Sequence, residues 1–315
     1  MKDLKLNPGE ETFLAVLFHN SKKPLTKEYI EKEAAYWKIE NHQELIKSFL
    51  EKSLLEEKNS DLVFTETGLK EGEKCFTEFN KKNFDENFLI HYKSRTYRKF
   101  CKEVYDIEIF LYSMINKFQI EKLEEAADFK NTDKVLDIGC GPGDLLEYLF
   151  DKYKFNATGI DFAPKTIALA NERVKDKSGI KYLEMNIKNL DKLGEKYNKI
   201  ISVDSLYFHG DVKKSVEDII KLLEDKGKAF IFYTNLLNPD KKSLYKILDS
   251  LKLNYSKIDF TQEEKNHWIK TIAAAEKYKQ DFESENSQSI YEERISEAND
   301  VMKREYERFL YIIEK

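Results

Sequence analysis

One stretch of eleven residues, Lys134-Val-Leu-Asp-Ile-Gly-Cys-Gly-Pro-Gly-Asp144, constrains this chain more than any other. Val135, Leu136 and Ile138 form a short apolar run. Gly139, Gly141 and Gly143 follow as a sharp turn, and Leu145, Leu146, Leu149 and Phe150 resume at helical spacing. That order reads as strand, glycine turn, helix. Glycine tolerates positive φ and lets a backbone approach a ligand without side-chain interference, so the turn reads as a nucleotide cradle in an α/β domain.

The charges around the turn select among nucleotides. A dinucleotide site sets a pyrophosphate against a helix N-terminus and uses Gly-x-Gly-x-x-Gly. Here the third glycine, Gly143, comes one residue early and Asp144 holds the expected position. Pro142 removes an N–H donor from the loop, and Asp137 and Asp144 bring carboxylates where a dianion would sit. A ligand with a positive charge and a ribose suits the turn better. The carboxylates serve an ammonium or sulfonium, and Asp161, which closes the next apolar run 18 residues after Gly143, serves the hydroxyls.

Val135-Leu-Asp-Ile-Gly-Cys-Gly-Pro-Gly143 followed by Gly159-Ile-Asp161 resembles the first two motifs of the class I S-adenosylmethionine-dependent methyltransferases. The resemblance covers residues 131–260 well and the flanking regions by architecture alone. It implies an α/β fold with a seven-stranded, mostly parallel Rossmann-like sheet and helices on both faces. It also implies S-adenosylmethionine as cofactor and S-adenosylhomocysteine as product. Asp137, Gly139, Cys140, Gly141, Gly143, Asp161 and Phe162 would then hold the cofactor. Asn186 and Ile187, after the third strand Ile180–Met185, would flank the adenine. An Asn stands there in place of the family's usual acid, and it can still donate to or accept from base-edge atoms. Beyond the fourth strand, Asp204 would join the cofactor residues, and Ser205, Tyr207, Phe208 and His209 would fall beside the transferable methyl. The segment Asp204-Ser-Leu-Tyr207 lacks the two prolines found at this place in amino-methylating DNA enzymes.

The 315 residues are 41% hydrophobic and 35% charged, enough for a full α/β domain plus smaller units. Net charge is −5 with both signs interleaved, so no basic face for nucleic acid is visible. Cys75, Cys101 and Cys140 form neither a CxxC pair nor a metal cluster and read as reduced thiols. No metal site is expected. The chain starts without a signal-type apolar run and holds no stretch of about 18 apolar residues, which points to a cytoplasmic protein away from the membrane.

Residues 1–75 read as three helices and a small hairpin, with Leu54-Leu55 and Leu62–Gly68 as strands around the polar turn Glu56–Asp61. This is a winged-helix-like arrangement. Such modules often read DNA, but these residues hold 12 Lys, no Arg and 15 acidic side chains. Phosphate neutralisation needs the opposite balance. Dimerisation and one wall of a substrate site, as in small-molecule O-methyltransferases that the arrangement resembles, are the expected roles. Residues 76–130 read as a helical, aromatic linker whose piece Ser94–Tyr105 closes over the cofactor, with Tyr97 and Tyr105 as contacts. Residues 131–260 form the Rossmann-like domain. Residues 261–306 read as a helical cap of two helices inserted between strands six and seven, opened by a capping box at Thr261–Glu264. Residues 307–315 supply the final antiparallel strand.

Methyl transfer from a sulfonium is an in-line displacement that needs alignment and water exclusion. A hydroxyl nucleophile needs a base, and His209 is the best-placed imidazole; Tyr207 is the second catalytic candidate. An amine needs no strong base, and Tyr rings with a carboxylate can hold the cationic product. The surplus of Tyr and the acid Asp204 favour an amine or another small polar acceptor. Ser205, Tyr207, Trp268, Tyr291 and Arg294 are the substrate-wall candidates. The reading is a methyltransferase acting on a small-molecule N or O nucleophile. Its rivals are a nicotinamide-dependent oxidoreductase and a DNA-binding regulator with a ligand-sensing methyltransferase-like domain.

Overall fold

The computed structural model describes residues 5–112, 115–237 and 243–315. The chain divides into two compact units between Phe84 and Asp85.

The first unit begins with α1 (Pro8–Phe18). Asn7 Oδ1 accepts from Glu10 N–H and Glu10 Oε2 accepts from Asn7 N–H, with Pro8 at the first helical position, which satisfies two end donors reciprocally. Helices α2 (Lys27–Tyr36) and α3 (His42–Glu51) follow. Phe13, Leu14, Leu45, Phe49 and Leu54 are buried among them. Strands β1 (Leu55–Lys58) and β2 (Asp61–Phe64) pair antiparallel. The turn is shorter than the sequence suggests. Glu56 to Lys58 belong to the strand, and Asn59 and Ser60 alone reverse the chain, both at positive φ. Such a two-residue turn matches the twist of the flanking strands. Residues 66–68 begin α4 (Glu66–Lys93) rather than extending the strand.

In the second unit, α5 (Arg95–Tyr105) and α6 (Lys117–Ala127) precede a run of strands and helices that alternate except between β5 and β6, which a short 3-10 turn joins. These are β3 (Lys134–Ile138), α7 (Asp144–Tyr153), β4 (Asn156–Asp161), α8 (Pro164–Val174), β5 (Ile180–Glu184), β6 (Tyr197–Val203), α9 (Val212–Leu222) and β7 (Leu223–Leu236). Helix α10 (Leu244–Ser250) and β8 (Asn254–Asp259) come next, and β9 (Tyr306–Glu314) closes the chain. The sequence predicts a helix over 240–251, and its first residues, 240–242, lie outside the described residues.

The seven strands run in the order β5-β4-β3-β6-β7-β9-β8, and β9 alone is antiparallel to its neighbours. Val135, Leu136 and Ile138 in β3 and Ala229 to Phe232 in β7 are fully buried. Central strands covered on both faces read as continuous apolar runs for this reason. The strand order reverses between β3 and β6, and in open α/β sheets the crevice at the carboxyl ends there is where ligands bind.

Because β8 is parallel to β3, the chain leaves β8 at that same carboxyl end. It forms α11 (Thr261–Lys277), α12 (Lys279–Ser284) and α13 (Gln288–Val301) before returning as β9. Three helices stand where two are expected. The expected capping box is absent: Phe260 is the N-cap, and Thr261 Oγ1 instead accepts from the Arg308 N–H of β9 at 3.0 Å.

Candidate functional site

Each glycine of the turn has a structural reason. Gly139, Gly141 and Gly143 all lie at positive φ (74°, 53° and 80°). A Cβ on Gly139 would stand 2.2 Å from Ser205 Cβ, and one on Gly143 would stand 2.3 Å from the Tyr182 ring. Both neighbours brace the turn, since Ser205 Oγ donates to Ile138 O (2.6 Å) and Tyr182 Oη donates to Gly143 O (2.8 Å). Gly141 differs. It is buried, and a Cβ there would meet only the Phe88 ring, at 3.4 Å, an ordinary contact, so its positive φ is what calls for glycine. Arg173, which sequence reasoning missed, donates to Pro142 O at 2.7 Å and ion-pairs with Glu147 and with Asp144 at 3.2 Å. Asp144 therefore faces an arginine.

Asp161 ends β4 and ties the turn to the next helix: its carboxylate accepts from Gly141 N–H and from Ala163 N–H, each at 3.0 Å. Burial raises its pKa to about 6 against those stabilising bonds. Asp137 is 3% exposed, and no described residue hydrogen-bonds its carboxyl. Burial, with the Asp161 charge beside it, pushes Asp137 up to about 7. Asp85, also missed, accepts from Lys165 N–H, Thr166 N–H and Thr166 Oγ1 and so caps α8 from α4. No sequence signal marks it, because the capping side chain comes from 80 residues away.

At the end of β6, Asp204 adopts φ +52° and is held in a bidentate pair by Arg308. Arg308 is 1% exposed, donates to Thr234 Oγ1 at 2.9 Å, and has Glu264 Oε2 at 3.0 Å. Trp268 Nε1 donates to Glu264 at 3.3 Å. Tyr207 Oη accepts from Thr234 N–H and lies 3.4 Å from Asp204 Oδ1; burial and that carboxylate keep its phenol protonated. His209 Nδ1 accepts from Asp211 N–H at 3.3 Å, and burial lowers its pKa.

Residues 135–227 match a family model described as a methyltransferase domain. Residues 135–227 form a methyltransferase domain of class I fold. Over 100 residues the chain is 31% identical to the uncharacterized methyltransferase YdaC of Bacillus subtilis (strain 168), covering 31% of this chain and 55% of that protein. Over 202 residues it is 26% identical to the uncharacterized protein MJ1252 of Methanocaldococcus jannaschii, covering 63% of this chain and 75% of that one. Among solved structures it is similar to phosphoethanolamine N-methyltransferase 2 of Haemonchus contortus in complex with S-adenosyl-L-methionine. That likeness has a TM-score of 0.56 at 18% identity and covers 70% of this chain and 57% of the other. The chain thus spans just over half the length of YdaC and of the Haemonchus enzyme. A fold so shared hosts many chemistries.

Within the domain, Asp137, the three turn glycines and Asp161 converge at the carboxyl end of β3 and β4, with Cys140 and Phe162 half-buried in the same loops. Asn186 and Ile187 follow β5; Asn186 Oδ1 accepts from Lys188 N–H and starts a short 3-10 turn. Ser205 is turned under the glycine loop, and Asp204 and Tyr207 share one network with Trp268. The remaining residues make other contacts. Tyr97 Oη donates to Leu111 O at 2.9 Å, and the Tyr105 ring packs on His267 with centroids 4.7 Å apart. Arg294 is 2% exposed, pairs with Glu293 at 2.6 Å and Glu297 at 3.1 Å, and lies over the Tyr112 ring. Tyr291 sits on the outer side of α13, donating to Glu276.

Proposed function

We propose that the chain is an S-adenosylmethionine-dependent methyltransferase acting on a small-molecule N or O nucleophile. The observation that carries this is the carboxyl pair at the turn. Asp137 is buried without a hydrogen bond from a described residue, and burial with the Asp161 charge beside it pushes its pKa up to about 7. A bare buried carboxyl is costly unless a cation or a donor meets it, and the residues fit a cofactor with a sulfonium, an ammonium and ribose hydroxyls. Asp161 already spends both oxygens on backbone N–H groups; its remaining lone pairs are the ones left for hydroxyls. Asn186 and Ile187 flank the base in this reading.

When bound, the cofactor supplies an electrophilic methyl. The chain aligns the acceptor and excludes water. Asp204, fixed by Arg308, and Tyr207, kept protonated, offer an acceptor oriented polar contacts. If the acceptor is a hydroxyl, His209 takes its proton once the Asp211 contact opens. Residues 1–75 are assigned dimerisation and the helical insertion the role of a cover.

Transfer from methyl-tritiated S-adenosylmethionine, followed by separation of small molecules, protein and nucleic acid, tests the reading. Label in the small-molecule fraction, lost on Asp161→Ala, is expected. Label confined to protein or nucleic acid, or none, would overturn it.

A further inference from the structure

Helix α8 takes its cap from another helix. Its N-cap position is Ala163, whose methyl cannot accept a hydrogen bond, and Pro164 follows at the first helical position without an N–H. Lys165 N–H and Thr166 N–H are the end donors left, and Thr166 is fully buried. Buried N–H groups are seldom left unpaired. Asp85 of α4, itself 2% exposed, accepts from Lys165 N–H at 3.2 Å and from Thr166 N–H and Thr166 Oγ1 at 3.0 Å each. Its negative charge also suits the positive end of the helix.

Two carboxylates thus share this helix end. Ala163 N–H, just before the helix, donates to Asp161 Oδ1, while Asp161 Oδ2 accepts from Gly141 N–H. Burial raises the Asp161 pKa and the nearby Asp85 charge adds to it. Without Asp85, the orphaned Lys165 and Thr166 donors have Asp161 as the adjacent acceptor. Drawn toward them, that carboxylate would release Gly141 N–H, and the lone pairs it keeps for hydroxyls would move with it.

The same face of α4 meets the glycine turn twice more, at the helical spacings i+3 and i+7 from Asp85. The Phe88 ring lies 3.4 Å from where a Cβ on Gly141 would stand, and Tyr92 Oη accepts from Arg173 Nη1 at 3.4 Å. Arg173 in turn donates to Pro142 O at 2.7 Å. Residues 85–93 of α4 belong to the second unit, as does the turn they brace. We propose that Asp85 is a positioning residue for the cofactor: by capping α8 it leaves the Asp161 carboxylate to hold Gly141 and to meet the ribose. The proposal rests on the methyltransferase reading.

Calorimetric titration with S-adenosylhomocysteine tests it, with every variant kept well below its thermal midpoint. Asp85→Ala should bind about tenfold more weakly than wild type, the size of one hydrogen bond to a charged group. Asp85→Asn, which keeps an oxygen for the Thr166 donors, should stay within about threefold of wild type, since Asn caps a helix nearly as well as Asp. Asp133→Ala controls for lost stability alone. Asp133 is 4% exposed and accepts from Lys130 N–H, Asn198 Nδ2 and Lys199 Nζ just before β3, at the far end of that strand from the turn. Its replacement should leave affinity unchanged. Should Asp85→Ala not fold, Thr166→Val, which removes one of the three bonds, takes its place with an expected loss of about threefold. Wild-type affinity in Asp85→Ala, or in Thr166→Val where it stands in, would overturn the proposal and leave the methyltransferase reading standing. So would an equal loss in Asp133→Ala, or a loss that Asp85→Asn does not recover. No binding to the wild type would overturn both.

Discussion

At Asp137 stability and the proposed binding pull in opposite directions. Its folded pKa of about 7 exceeds the unfolded value of about 3.9, so the native chain holds that proton more tightly than the unfolded chain. The contribution to stability is fully present below about pH 4 and lost as pH rises through about 7. A cationic ligand needs the ionised form, so cofactor affinity should rise across that window as stability falls. Asp137→Asn should raise the thermal midpoint at pH 8, flatten its pH dependence between about pH 5 and 8, and weaken S-adenosylhomocysteine binding by tenfold or more, on the order of one charged contact. A variant with an unchanged stability profile and full affinity would show that Asp137 neither titrates there nor meets the ligand. At this scale the turn was legible because glycine needs are local: positive φ and a carboxylate spaced 18 residues on leave a pattern in the chain. Asp85, Arg173 and Arg308 were not, since each meets its partners only after distant segments pack.

Elements repeat the lesson. Alternating apolar runs and helical spacing gave the order of strands and helices, and the inserted helices were legible as helices. Which polar residues α11 buries was not. Of the apolar spacing Trp268, Ile269, Ile272 and Ala275, Trp268 and Ala275 are buried and Ile269 is not, and the buried face also carries Glu264, His267 and Thr271. Charges on other elements override the stripe: Glu264 turns inward because Arg308 arrives on β9, and Arg308 is there because the antiparallel return of β9 sets its start beside the end of β7. That arginine joins β6, β7 and α11. Arg308→Met would leave half-buried Asp204 and buried Glu264 beside each other without a counter-charge, a loss of about 3 kcal/mol. A thermal midpoint within a degree or two of wild type in Arg308→Met would show that the network is not structural. Adding Glu264→Gln should recover part of the loss by removing one of the stranded charges.

For the whole molecule, the sheet order and its switch between β3 and β6 decide where chemistry can occur, and everything proposed here gathers at that carboxyl end. The glycine turn, the buried acids and the Asp204–Arg308 pair belong to the second unit. Among the described residues no helix is long and apolar enough to cross a membrane, and no cluster of His, Cys, Asp and Glu is arranged for a metal. The sequence leans toward an amine acceptor and carries no finer signal, because the polar groups around the end of β6 come from β6, α11, α13 and β9 and share no local pattern. The most direct measurement is a calorimetric titration of S-adenosylhomocysteine into the wild-type protein, Gly141→Val and Asp161→Ala. Micromolar binding to the wild type that both variants lose is the predicted result. No binding to the wild type, or full binding to a variant whose turn is blocked at Gly141, would contradict the account.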